Sequence, residues 1–133
     1  MRSRYAAFVL GEHDHLIRTL HPDHPDLRIP RRELRERLVK HGKRARYRGL
    51  TILDRDGPDA RGAHRVLFRV TMLLAGADAS FVELSRFLHD GTGLRYHGGT
   101  IVDPRALERE GVTTIPALEG LLAREGASPP SKR

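Results

Sequence analysis

The sequence predicts an α+β fold in which N-terminal helices pack on one face of a curved, mostly antiparallel, four-stranded sheet. Three observations predict it. Apolar residues recur at helical spacing as far as His41, and the period changes from Lys43 onward. The segments after Lys43 are divided by turn chemistry at Asp56-Gly57-Pro58-Asp59, Ala75-Gly76-Ala77-Asp78 and Asp90-Gly91. Helices that precede an antiparallel meander are placed together on one side of it.

The elements follow in order. Ser3 can N-cap a first helix over 4–10, with Tyr5, Phe8 and Val9 as its apolar face and Gly11 at its end. A second helical stretch over 12–20 turns Leu16, Ile17 and Leu20 inward. It stops at His21-Pro22, because the residue before proline is pushed out of the α region. Asp23-His24-Pro25-Asp26 is expected to be loop. Pro30 suits a helix N-terminus, and 31–41 reads as a helix with a narrow stripe of Leu34, Leu38 and His41, capped by Gly42. Strands are predicted over 45–54, 65–74, 80–89 and 94–102. The second alternates most clearly, with Val66, Phe68, Val70, Met72 and Leu74 on one face. Asp103-Pro104 and Thr114-Ile115-Pro116 can each start a short C-terminal helix, and the tail 125–133 is expected to be disordered.

Composition narrows the classes. At 133 residues the chain suits one domain with its own core. It has no run of about 18 apolar residues that would span a membrane. Gly11-Glu12-His13-Asp14-His15 interrupts the N-terminal apolar stretch, so no signal peptide is read there and a cytoplasmic location is expected. Cysteine is absent, which excludes disulfides and thiolate zinc sites. The net charge of +7 is concentrated: 28–48 holds ten Lys/Arg against Glu33 and Glu36. One reading is a polyanion or nucleic-acid surface made by Arg31, Arg35, Lys40, Lys43, Arg44, Arg46 and Arg48. The preferred reading is a solvated helix in an arginine-biased chain, since 21 of the 24 basic residues are arginine.

The third strand carries the chemistry. Phe81, Glu83, Ser85 and Phe87 share one face, and Val82, Leu84, Arg86 and Leu88 the other. Polar groups between two phenylalanines are costly to bury without partners. Arg4, Tyr5, Thr19 and His21 on the helices, with Tyr47, are the candidates to surround Glu83 and Ser85 in a polar pocket. A structural version pairs Arg4 with Glu83 to tie the helices to the sheet. A chemical version makes Glu83 and His21 an acid/base pair. His13, His15, His21 and His24 invite a metal, but His13 and His15 fall on different helix faces, so no metal site and no cofactor is expected. The sequence also lacks GxSxG, P-loop and GxGxxG motifs.

Arg2-Ser3-Arg4-Tyr5-Ala6-Ala7-Phe8, Thr19-Leu20-His21-Pro22 and Phe81-Val82-Glu83-Leu84-Ser85-Arg86-Phe87 occur in that order. Together they resemble the central domain of the bacterial YchJ family, where an RSRYSAF helix, a TWHP turn and a HERSRF strand recur. The resemblance covers 1–99. It implies a nuclear-transport-factor-like (SnoaL-like, cystatin-like) cone over 1–103, followed by a helical extension over 104–124. The family's flanking SEC-C zinc motifs need cysteines, so this chain would present the central domain alone. Leu20 replaces the usual tryptophan and Val82 the usual histidine. Leu94-Arg95-Tyr96-His97-Gly98-Gly99 lacks the usual Trp and Asp. These departures tilt the expectation toward an uncharacterised small-ligand or protein-binding scaffold over an acid/base enzyme. The second and third strands carry more apolar surface than one helical layer covers. A homodimer through the convex sheet face and a monomer covered by its own C-terminal segment are both consistent with that excess.

Overall fold

The structure, a computed structural model, describes residues 1–125. The tail expected to be disordered therefore lies outside the described residues, apart from Glu125. Three helices lead into the sheet: α1 (Arg2–Leu10), α2 (His13–Arg18) and α3 (Arg31–Arg44). The sheet comprises β1 (Ala45–Asp56), β2 (His64–Leu74), the two-residue β3 (Ala77–Asp78), β4 (Phe81–His89) and β5 (Leu94–Val102). Its order is β1-β2-β4-β5, with β3 pairing off β2, and every strand pair is antiparallel. Helices α4 (Pro104–Glu110) and α5 (Ile115–Arg124) close the chain.

Several boundaries differ from the sequence reading for local reasons. Helix α1 starts at Arg2, so Ser3 lies inside it and does not cap it. Its inward residues are Arg4 and Ala7, while Val9 is half exposed. The helix has rotated to carry Arg4 toward acceptors on α2. Helix α3 continues through Gly42 to Arg44, because Gly42 keeps a negative φ and three bases in the last turn complement the helix C-terminus. The segment read as loop contains a 3₁₀ turn, Pro25–Arg28, capped by His24, whose Nδ1 accepts from Asp26 N at 3.1 Å.

The sheet separates two apolar layers. On the concave face, Phe87 of β4 and Tyr96 of β5 pack with Ile17, Leu20 and Leu34 of the helical side, and Phe68, Val70 and Met72 of β2 pack with Ala45 and Tyr47 of β1 and Tyr5 of α1. On the convex face, Leu67, Val82 and Val102 pack against Leu107, Ile115, Leu118 and Leu121 of α4 and α5. Burying each of these aliphatic side chains contributes roughly 1.5–3 kcal/mol. The chain's own C-terminal helices thus cover the apolar surplus that a second copy could also have covered. Both helices are capped as their sequences suggest: Asp103 accepts from Arg105 N at 2.9 Å and Thr114 Oγ1 from Ala117 N at 3.2 Å. Asp54 of β1 adds a cross-element cap, accepting from Ile115 N at 2.7 Å.

Register places the chemistry. β4 pairs Glu83 with Phe68 on one side and Ile101 on the other. The β4–β5 ladder shifts register between Arg86 and Phe87. Such an irregularity bends the strand and re-aims its side chains. Here it brings Tyr96 opposite Phe87 and turns it onto the concave face. The parallel bridge Leu20–Tyr96 and the bond from His21 N to Tyr96 O at 2.8 Å dock the end of the α2 segment on β5.

Candidate functional site

A cavity of about 280 Å³ lies between the helices and the concave face. Its sheet side is Tyr47, Phe68, Val70, Met72, Phe81, Glu83 and Tyr96. Its helical side includes Arg4, Tyr5, Phe8, Leu16, Leu34, Leu38 and His41, with His24 and Asp26 at the 3₁₀ turn. Alternation along β2 and β4 puts these residues on one face. The apolar ones make the walls, and the polar ones gather at two ends.

The inner end is built around Tyr96. Its hydroxyl donates to Glu83 Oε2 at 2.8 Å, with Glu83 only 3% exposed. The Arg4 guanidinium lies over the Tyr96 ring, with Cζ 4.7 Å from the centroid, at a distance where the cation meets the negative ring face. His24 flanks the same ring at 5.5 Å and Phe87 meets it edge-on at 5.7 Å. Arg4 Nη1 donates to Leu16 O at 2.9 Å and to Thr19 Oγ1, whose own hydroxyl donates to His15 O at 2.7 Å. Burial lowers the Arg4 pKa, opposed by the nearby Tyr96, Glu83 and Asp26. The guanidinium nevertheless stays charged, as arginine does in proteins. At the outer end His41 Nε2 and the Tyr47 hydroxyl lie 3.0 Å apart, and Tyr5 meets Tyr47 edge-on.

The structure brings together Arg4, Tyr5, Tyr47 and Glu83 of the expected pocket, and removes three others. Arg4 lies over the Tyr96 ring whose hydroxyl donates to Glu83, and its Nη1 bonds Leu16 O and Thr19 Oγ1 of the α2 segment. Thr19 holds Arg4 from behind and does not line the cavity. Ser85 is fully buried within the sheet and donates to Val66 O at 3.1 Å. His21 is not beside Glu83. Its Nε2 lies 3.3 Å from His89 O, and its ring packs edge-on against His97. The acid/base pair Glu83–His21 is therefore not assembled. Val82 points to the convex side under α4 and α5, so its replacement of a family histidine removes nothing from this cavity.

Tyr96, His24 and His41 were missed. Tyr96 could have been found from Gly98-Gly99, since glycines inside a strand mark a bulge or close approach. A Cβ at Gly99 would lie 2.5 Å from Glu83 Oε2. Glu83 reaches Tyr96 by leaning across that bare backbone.

Elsewhere, His21, Asp23 and His97 place ligand-type atoms within 4.8 Å of one another. The donor set does not suit a cation. His97 Nδ1 accepts from Arg86 Nε at 3.1 Å, where metal-bound histidines ordinarily show an acceptor. Burial first, then Arg86 and His21, lower the His97 pKa. In the basic segment Arg31 and Arg35 pair with Asp14, Arg32 with Glu36 and Arg37 with Glu33. Lys40, Lys43, Arg44, Arg46 and Arg48 are exposed. Tyr47, the one aromatic that could have stacked a base there, faces the cavity.

The profile of the middle, NTF2-like domain of YchJ matches residues 1–99. The chain belongs to the YchJ middle-domain family. Its helices, antiparallel sheet and covered concave face are those of an NTF2-like fold. UPF0225 protein YchJ of Shigella dysenteriae serotype 1 (strain Sd197) is 33% identical over 100 residues, which are 75% of this chain. The chain spans 62% of the length of that relative. No solved structure matches. Among the described residues no helix is long and apolar enough to cross a membrane.

Proposed function

We propose that this domain binds a small molecule in the cavity beneath its helices. The observation that carries the reading is the Tyr96–Glu83 hydrogen bond on the wall of a mostly apolar chamber. Ligand sites combine such walls with a few placed polar groups.

The test is uptake of N-phenyl-1-naphthylamine, an uncharged dye whose fluorescence rises in apolar surroundings. Saturable, stoichiometric uptake is expected. Leu38→Trp should abolish it, because Leu38 lines the cavity from a half-exposed position on α3 where a larger ring fills the space without disturbing the sheet. Uptake that does not saturate, or that Leu38→Trp leaves unchanged in a folded protein, overturns the reading.

A further inference from the structure

A second cleft, of about 290 Å³, shares Arg4 and Tyr96 with the chamber. It lies where the start of α1 meets the end of β1 and the start of β2. Ser3 and Arg4 border it from the helix, Arg55 and His64 from the strands. Val66, Phe87 and Leu94 give it an apolar wall.

Strand alternation sorts the charges around this cleft. Arg55 is opposite Val66 in the β1–β2 ladder, and Val66 shares the concave face with His64 and Phe68. Arg55 is therefore on the side of the sheet that faces α1. Asp56 and Arg65, one step along each strand, turn the other way. Arg65 holds the Asp56 carboxylate with two bonds, at 3.0 and 2.6 Å, and also bonds Glu119 of α5 at 3.0 Å. Asp56, the acidic residue of the lining, thus spends its charge on the convex side. Glu83 does not border the cleft.

The groups left facing it are positive. Arg4 is only 8% exposed. Its Nη1 serves Leu16 O and Thr19 Oγ1, while among the described residues Nε and Nη2 meet no hydrogen-bond acceptor. The exposed Arg55 side chain is in no ion pair among the described residues. The Met1 ammonium borders the same lining, its pKa lowered by burial first and then by Arg4 and Arg2. Helix α1 begins here with no side-chain cap, so its first-turn amides also favour an anion. A buried charge ordinarily has a counter-charge. The Nε–Nη2 edge of a guanidinium matches two oxygens of one carboxylate or phosphate.

We infer that this cleft binds a small organic anion, whose carboxylate or phosphate is taken by Arg4 and Arg55 and whose apolar body lies against Val66, Phe87 and Leu94. The site is distinct from the chamber that Leu38 lines.

The full chain is titrated by calorimetry, at low salt and neutral pH, with benzoate, phenyl phosphate, inorganic phosphate and benzamide, an uncharged analogue of benzoate. The better of the two phenyl anions is expected to bind about tenfold more tightly than benzamide, and its identity names the head group. Arg55→Gln should weaken that anion severalfold. Arg46→Gln, equally exposed at the other end of β1, should leave it unchanged. Because Arg55 is exposed, this comparison needs no change at the buried Arg4. Leu38→Trp should also leave anion binding unchanged while it blocks the dye. Phenyl anions that bind no better than benzamide, or as well in Arg55→Gln as in the unaltered protein, overturn the inference. Inorganic phosphate that binds as tightly as the phenyl anions overturns the organic body. Anion binding that is lost in a folded Leu38→Trp places the anion in the chamber and overturns the separate cleft.

Discussion

Gly99→Ala should damage this protein through Glu83 alone. Gly99 lies on β5, opposite Ser85, and its φ is outside the positive range, so the backbone itself accepts alanine. The added methyl would sit 2.5 Å from Glu83 Oε2, 2.7 Å from Cδ and 3.0 Å from Cγ. Ordinary contact begins roughly 1 Å farther out. The carboxylate must therefore swing away, and the 2.8 Å bond from Tyr96 breaks. Losing a buried hydrogen bond to a charged group costs about 1.5–3 kcal/mol. Overpacking adds about 1–3 kcal/mol. Alanine returns about 0.5–1 kcal/mol, because glycine is the poorer strand residue. The net loss expected is about 1.5–5.5 kcal/mol, a fall in the urea midpoint on the order of 1–3 M.

Gly49→Ala is the control. It also lies in a strand with no positive φ, and a Cβ there meets nothing within 4 Å. It should be neutral or slightly stabilising. The decisive measurement is a double-mutant cycle by urea unfolding. In a Glu83→Ala background the methyl at 99 has nothing to displace, so Gly99→Ala should become nearly neutral. If it is as harmful there as in the unaltered protein, or no worse than Gly49→Ala, the claim that Glu83 depends on the bare backbone at 99 is refuted.

Three other outcomes are expected. Asp54 accepts from Ile115 N and Arg55 N, and these amide donors hold its carboxyl below the usual range. A depressed carboxyl stabilises the fold above its unfolded pKa of about 3.9 and loses that contribution as pH falls through the folded value. Thermal melts below pH about 4 should therefore show a smaller acid-linked loss in Asp54→Ala, and equal losses would remove Asp54 as the cap of α5. His97 is expected to titrate below the usual imidazole value in an NMR titration and to move up in Arg86→Met, since Arg86 contributes to the depression; an unchanged midpoint would clear Arg86 of that role. Sedimentation should give a single-chain mass, because α4 and α5 already cover the convex face, and a concentration-independent dimer would show that another surface associates.

The layers were legible in sequence because they obey simple periods. Val66, Phe68, Val70, Met72 and Leu74 alternate, and Glu83 shares its face with Phe81 and Phe87, so the strand and the buried carboxylate could be read directly. Asp103 and Thr114 announced their helices by cap chemistry. What hid the site was irregularity and rotation. A register shift beside Arg86 decides that Tyr96 faces inward, and strict alternation does not locate it. Helix α1 is so rich in polar residues that its apolar stripe does not reveal which side is buried, and the answer is the side with Arg4. His21 was drawn toward Glu83 by its place in a motif. The backbone bonds that fix it, His21 N to Tyr96 O and the Leu20–Tyr96 bridge, instead hold it against the outer side of β5.

The pair at the inner end separates a structural role from a binding role. A buried charged group is weak evidence for stability, since its desolvation rivals what its partners return. Were Glu83 and Tyr96 kept to hold the fold together, replacing both would cost several kcal/mol. Were they kept for a ligand, replacing both with apolar groups of similar shape should cost little, because the donor and the acceptor of their bond leave together. Glu83→Leu with Tyr96→Phe is that replacement. The phenyl ring keeps the face that Arg4 covers, and leucine continues the wall beside Phe68. The single Glu83→Leu removes the acceptor of the Tyr96 hydroxyl bond and should cost about 1–3 kcal/mol; the double variant should recover most of it. Uptake of the uncharged dye should survive in the double variant. A double variant that unfolds more than about 3 kcal/mol more easily than the unaltered protein would make the pair structural, and the chamber's polar end would then be a consequence of how the helices are tied down.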